Sequence, residues 1–391
     1  MQYRPICRSL LVAAASVIFT SNILQAQTAL PSMPASPLPH RVEAPGPGAP
    51  PRPEPLAEAK LIPQPKNDQE LAAAIKRLGD DLAASGRFSG SILLAVEGKL
   101  LLNDAWGEAN RQTRVPNTSD TSYDVGSIGK QFTQIAILQL AEAGKVSLDE
   151  TFGKYLTTYP NSEIAGKVTI RQLLGHNSGM GDFFANITPE TDLNSLRQLK
   201  DYLPLFGQTP LEFEPGAQTR YSNTGYIVLG MVVEAVSGED YYKYIEDHIL
   251  KPAGMTHSGF FDRSHLPSTV AHSYEDGKDV TSRHDVRGSP AGGLYASTGD
   301  LLRLVQAIDA GKLIKPESVK VLHELLPRPP NAPRLAHEPK FMAFGGSPGV
   351  NAELLVDSSG RYTRIILCNA SPPMAMSVGA AIREWTIQMP K

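Results

Sequence analysis

Ser127 and Lys130 are the residues whose types and spacing point most directly to chemistry. They stand in Asp124-Val125-Gly126-Ser127-Ile128-Gly129-Lys130, which holds the single Ser-x-x-Lys of the 391-residue chain. No charged residue occurs from Gln131 to Ala141, and Gly144 follows where a helix would stop. The pattern predicts a buried helix with Ser127 at its N-terminus and Lys130 one turn on, on the same face. A serine hydroxyl is a weak nucleophile until a neighbour takes its proton, and a poorly solvated lysine amine can do so. Unpaired N–H groups at the start of the helix can bind the oxyanion that forms on attack.

The elements that must position this pair can be read along the chain. Glu70 to Ala84 has helical spacing. Two apolar runs around Glu97-Gly98, within Phe88 to Trp106, read as a β-hairpin. An apolar helix is expected from Gly225 to Val236, stopped by Gly238, and Ser297 is placed to cap a helix reaching Ala310. Asn351–Val356 and Tyr362–Leu367 are strand-like runs around Asp357-Ser358-Ser359-Gly360, and Val378–Gln388 closes the chain as a helix. Strands at both ends with helices between them predict an α+β fold: one antiparallel sheet built from both termini, with a mostly helical inserted region.

Three regions of the chain are expected. Arg4 and Arg8 precede an apolar run from Leu10 to Phe19, and small and polar residues lead to Leu24-Gln25-Ala26, the layout of a signal peptide over residues 1–26. The run is too short for a comfortable membrane span. Residues 27–66 are rich in proline, with twelve of the 32 prolines between Pro31 and Pro65, and are expected to form an extended tether. The folded domain is expected over 67–391, exported to the periplasm. Removal of the leader takes Cys7 with it and leaves Cys368, so no intramolecular disulfide is expected. The net charge of −3, with no basic stripe, argues against nucleic acid as a partner.

Several stretches taken together resemble one family. Ser127-Ile128-Gly129-Lys130, Tyr221-Ser222-Asn223 and Gly345-Gly346-Ser347-Pro348-Gly349 occur in the order found in the serine β-lactamase-like hydrolases. That group includes class C β-lactamases, related penicillin-binding proteins, D-amino-acid peptidases and carboxylesterases. Gln131-Phe132-Thr133, Leu173-Leu174 through Ser178-Gly179, Pro252 through Gly254-Met255 and Gly292-Gly293-Leu294 also look like it. The resemblance implies that Ser127 is acylated and that Lys130 activates it. It implies that Tyr221 acts as general base and then as acid, with Lys130 favouring its phenolate. Asn223 is implied to hold the substrate carbonyl or amide and to orient Lys130, and Gly346 N–H to complete an oxyanion hole with Ser127 N–H. No metal or organic cofactor is implied, and the expected partner is a small-molecule or peptide ester or amide.

The third motif departs from the family pattern. Where relatives carry Lys-Thr-Gly or His-x-Gly, this chain reads Ala343-Phe344-Gly345. The group that meets a substrate carboxylate is missing, and Phe344 is expected to make that wall apolar. Lys340 is an odd number of positions from Ala343 and so falls on the other face of a strand. The change shifts the expected substrate toward esters. It also raises a rival reading, a weakened or inactive member of the fold used for binding or sensing.

Two other readings fail on chemistry. Gly345-Gly346-Ser347-Pro348-Gly349 matches the Gly-x-Ser-x-Gly nucleophile elbow, but there the residue after the serine must donate an N–H, and Pro348 has none. The histidines lack ligand spacing, and His176 reads as a hydrogen-bonding histidine in a turn.

Overall fold

Apolar runs from the two ends of the chain pair with one another. The computed structural model describes residues 53–54, 56–188, 190–324 and 339–389. Strands β1 (Gly90–Val96) and β2 (Lys99–Trp106) form the expected hairpin. Its two turn residues both have positive φ, 50° at Glu97 and 74° at Gly98, which matches the twist of the flanking strands. Strands β3 (Phe341–Ser347), β4 (Val350–Val356) and β5 (Tyr362–Cys368) come from the C-terminal part. The sheet has the order β2-β1-β5-β4-β3, and every neighbouring pair is antiparallel. β1 and β5 lie inside the sheet with both faces covered, which is why Ile92–Ala95 and Ile365–Leu367 read as apolar runs.

The helices that cover the sheet are α1 (Asp68–Ala84), α2 (Lys130–Glu142), α3 (Asn223–Ser237), α4 (Thr298–Asp309) and α5 (Met374–Gln388). Alternation along β1 divides its side chains between two cores. Ile92 and Leu94 meet Leu71, Ile75 and Leu78 of α1 and Val378, Ile382 and Trp385 of α5. Leu93 and Ala95 face the larger core, which includes Phe132, Ile135, Ile227 and Leu301 from the inserted helices. The result is the α+β arrangement expected: a sheet built from both ends of the chain, one helical layer on one face and a larger helical region on the other. Among the described residues no helix is long and apolar enough to cross a membrane.

Three expected boundaries move. The folded part begins before Asn67: Leu56 and Ile62 are buried in the α1–α5 layer, and Gln64 Nε2 donates to Trp385 O at 3.0 Å. Composition averaged over a proline-rich window hides two apolar side chains that dock on a neighbouring helix. The expected signal peptide lies outside the described residues. Helix α3 starts at Asn223 rather than Gly225, because Ser222 is its cap and accepts from Gly225 N–H at 3.1 Å. Helix α5 starts at Met374, a turn before Val378.

Candidate active site

The segment carrying Ser127 is a tight 3₁₀ turn, Gly126–Gly129, that runs into α2 at Lys130. Asp124 shapes it by accepting Gly126 N–H at 2.7 Å, and Gly126 has φ +51°, a left-handed conformation that a side chain would oppose. Edge strand β3 lies directly against this turn. A Cβ on Gly345 would stand 2.0 Å from Val125 O, so only glycine allows the approach. Helix α2 is buried on all sides from Lys130 to Leu138, which is why it carries no charge from Gln131 to Ala141.

Four of the residues expected in the site come together. Ser127 Oγ accepts from Tyr221 Oη–H at 2.6 Å and lies 3.2 Å from Lys130 Nζ. Lys130 Nζ donates to Asn223 Oδ1 at 2.7 Å and, in a short contact, to the carbonyl of Ala291. Asn223 is the first residue of α3, Tyr221 stands just before its cap, and Ala291 sits on the loop that follows Pro290, whose carbonyl accepts from Thr133 of α2 at 2.8 Å. Three distant stretches of sequence therefore converge on one amine.

The electrostatics follow from burial. Lys130 is 3% exposed, and loss of solvation brings its pKa down to about 7, against a smaller opposing pull from the Asp182 carboxylate. Its amine is thus available as a base near neutrality. Burial moves the Tyr221 phenol the other way, well above the ordinary range; the bond to Ser127 opposes this and Asp182 adds to it. A resting phenolate on Tyr221, expected from the family resemblance, is therefore not what this surrounding favours: the tyrosine is a phenol that donates to Ser127. Its ring stacks on His176, with centroids 4.4 Å apart. His176 is buried, its pKa is depressed to about 3 by burial and by Lys130, and its Nδ1 accepts Ser222 N–H at 3.2 Å. The ring is neutral, with its proton on Nε2, and acts as a hydrogen-bonding support as its turn position suggests.

The third motif sits where the resemblance puts it, on the strand beside the nucleophile. Gly346 pairs with Asn351, one step from the two-residue turn at Pro348-Gly349. That step turns its N–H to the open edge of β3, and the nitrogen is 3.0 Å from where a Gly126 Cβ would be. Ala343 is buried in the large core at 6% exposure. Phe344 differs from the expectation. It is half-buried and, one residue on from Ala343, lies on the α5 side of the strand opposite Glu353, so Ala343 and Gly345 carry the inner face of that wall. Lys340 reaches over Gly360 in the β4–β5 turn, away from the nucleophile. His337, which lies near this motif in sequence, is outside the described residues.

Two contributors escape a reading of residue types. Ala291 acts through its carbonyl, which any residue would supply; the neighbouring Gly292-Gly293 is the signal that marks this loop. Asp182 accepts from Asn223 N–H at 3.1 Å and Asn223 Nδ2–H at 2.7 Å. Nothing in the sequence ties position 182 to position 223.

The model of the Beta-lactamase family matches residues 71–385. The chain belongs to the Beta-lactamase family. The chain is 34% identical over 261 residues to the putative penicillin-binding protein PbpX of Bacillus subtilis, covering 64% of this chain and 60% of that protein's length. The structure of a penicillin binding protein from Bacillus halodurans is 31% identical, with TM-score 0.69 over 78% of this chain and 99% of that one. A D-amino acid amidase from Ochrobactrum anthropi shares the fold at 21% identity, TM-score 0.68, over 81% of this chain and 99% of that chain. The family matches the sheet and helical insertion described above and marks the chain as a serine hydrolase of the β-lactamase-related family.

Proposed function

We propose that this β-lactamase-family protein is a hydrolase that forms an acyl-enzyme on Ser127, acting on a small-molecule or peptide ester or amide. The observation that carries the reading is the arrangement of Ser127 Oγ between the Tyr221 phenol and the Lys130 amine. Asn223 Oδ1 and Ala291 O can only accept, so a neutral Lys130 gives both its N–H bonds to them. Its lone pair is left facing Ser127. On attack, the Oγ–carbon bond forms, the hydroxyl proton passes to Lys130, and the carbonyl electron pair moves to oxygen. Ser127 N–H and Gly346 N–H are the donors assigned to that oxyanion. The bond to the leaving group then breaks as Tyr221 supplies its proton, and the phenolate oxygen recovers a proton from the Lys130 ammonium, the two groups meeting at Ser127 Oγ. Water repeats the sequence in reverse roles to release the acid.

The substrate reading rests on Ala343. A buried alanine in the place of a cation gives a substrate carboxylate no partner, which favours neutral esters and amides over β-lactams. Gly345 continues this wall beside the nucleophile turn, and the Asn223 amide meets the Lys130 amine. The sensor reading also starts from Ala343-Phe344, but a binding cleft has no need of a desolvated amine held on a serine. Export to the periplasm is proposed on the leader residues Arg4 to Ala26 alone.

The direct test is to quench the protein with a short-chain p-nitrophenyl ester in acid and map the acylated peptide by mass spectrometry. An acyl group on Ser127 is expected. Acylation at another residue, or none alongside enzymatic turnover, overturns the mechanism. Tyr221→Phe keeps the ring on His176 but removes the proton for the leaving group. It is expected to lower kcat about 10²-fold with little change in KM. A change confined to KM would leave Tyr221 a binding residue.

A further inference from the structure

We propose that Asp182 is a positioning residue that aims the Lys130 amine at Ser127 through the side-chain amide of Asn223. The inference rests on the acyl-enzyme reading above and assigns a role that reading does not require. Asp182 precedes the short helical turn Phe183–Asn186. Its two oxygens do different work. Oδ1 accepts Phe184 N–H at 3.1 Å and so starts that turn. Oδ2 accepts both Asn223 N–H, at 3.1 Å, and Asn223 Nδ2–H, at 2.7 Å.

The second pair of bonds decides which way the Asn223 amide faces. An amide can be turned end for end with little change in shape, and its nitrogen only donates while its oxygen only accepts. A carboxylate only accepts, so it holds the nitrogen end and sends the oxygen toward Lys130 Nζ, 2.7 Å away. Ala291 O takes a second N–H of the amine. With both acceptors fixed, the remaining corner of the nitrogen is the one that faces Ser127, 3.2 Å away. If the amide turned over, its NH2 would face the amine, and the lone pair would be drawn to Asn223 instead of the serine.

A cap alone does not require aspartate, since asparagine caps turns equally well. Asp182→Asn therefore separates the two roles. It keeps the shape and the capping oxygen, and it sets an NH2 against the two N–H donors of Asn223. The charge is also removed from the surroundings of Lys130. The titratable groups that face Lys130 are Asp182, His176, Tyr221 and Tyr226. His176 is neutral and burial keeps both tyrosines protonated, so Asp182 is the anion of this set. Its loss favours the neutral amine, and the acid limb of the rate profile moves to lower pH even as the plateau falls.

The test is the rate of phosphonylation of Ser127 by a fluorophosphonate probe, followed by intact mass from pH 5 to 9. The full chain is compared as wild type, Asp182→Asn, Asn223→Ala and the double variant. Asp182→Asn is expected to slow the plateau about 10- to 100-fold, as expected for lost hydrogen bonds to a charged group. Its acid limb is expected at lower pH, and the double variant is expected to react no more slowly than Asn223→Ala alone. The limb is read against each variant's own plateau, so a partly unfolded sample does not imitate the shift. A rate within about twofold of wild type, given that typical net bonds exceed that effect, overturns the proposal. So does a slowed plateau with an unmoved limb, or losses that multiply in the double variant. Wild-type protein left unlabelled at Ser127 brings down the acyl-enzyme reading itself, a result distinct from any of these.

Discussion

Ser127→Ala is expected to lower ester turnover by about 10⁴-fold or more, to a residue set by the oxyanion donors and binding alone. The size follows from the proposed pathway: without Oγ no acyl-enzyme forms, and the remaining route is direct attack by water. The substitution removes one oxygen from a half-exposed position and fills no space, so folding is nearly untouched. It takes away an acceptor for Tyr221 and a neighbour for Lys130, each a bond worth about 1 kcal/mol in net terms. The melting temperature is therefore expected to move by only a few degrees. Steady-state hydrolysis beside a thermal melt tests both halves. Activity that survives in a folded Ser127→Ala protein removes Ser127 from the mechanism. Loss of activity together with unfolding would place the serine in the fold and leave its chemistry unassigned.

Lys130 carries the second large effect. Its pKa of about 7 predicts that kcat/KM rises with pH and levels off above about 7, because only the neutral amine takes the serine proton. Lys130→Met keeps an unbranched side chain one atom shorter and is expected to lower kcat/KM about 10²- to 10⁴-fold and to abolish that limb. The same group affects stability, and the sign can be worked through. The ordinary value of 10.5 applies to the unfolded chain and about 7 to the folded one. Between these values the unfolded chain binds more protons, so stability rises with pH across the window. The contribution is complete above 10.5 and is lost as pH falls through 7, where the buried amine must carry charge. Lys130→Met lacks this slope. Calorimetry of both proteins at several pH values from 6 to 10 is expected to show wild type gaining on the variant as pH rises. Parallel curves, with a rate limb that persists in Lys130→Met, would mean that another group titrates.

Much of the frame was legible because local patterns and tertiary needs agree. The hairpin at Glu97-Gly98, the uncharged run after Lys130, Gly238 as a helix stop and Ser297 as a cap each follow from backbone chemistry that neighbours in sequence decide. The apolar runs at both ends pair in one sheet, where each face packs into a core. Ser127 and Lys130 were legible for the same reason: three residues apart, they share one turn. Tyr221 and Asn223 were reached through the ordered motifs of the family, since nothing in residue type or spacing links position 127 to position 221.

What the sequence by itself determined is thus the local part: the elements, the Ser-Lys pair, the absence of a cation at Ala343 and the α+β class. The tertiary structure decided the rest. Leu56 and Ile62 join the fold although they stand among prolines, because burial depends on which surface is opposite them. Phe344 lies on the α5 side, because strand alternation and pairing with Glu353 set its direction. The protonation of the site was also out of reach. A lysine brought down to about 7, a tyrosine held as a phenol and a neutral histidine are products of burial. The partners that orient them, Asp182 and the carbonyl of Ala291, lie far along the chain or act through the backbone. Desolvation and convergence of distant groups are properties of the packed molecule, and no spacing of residues encodes them.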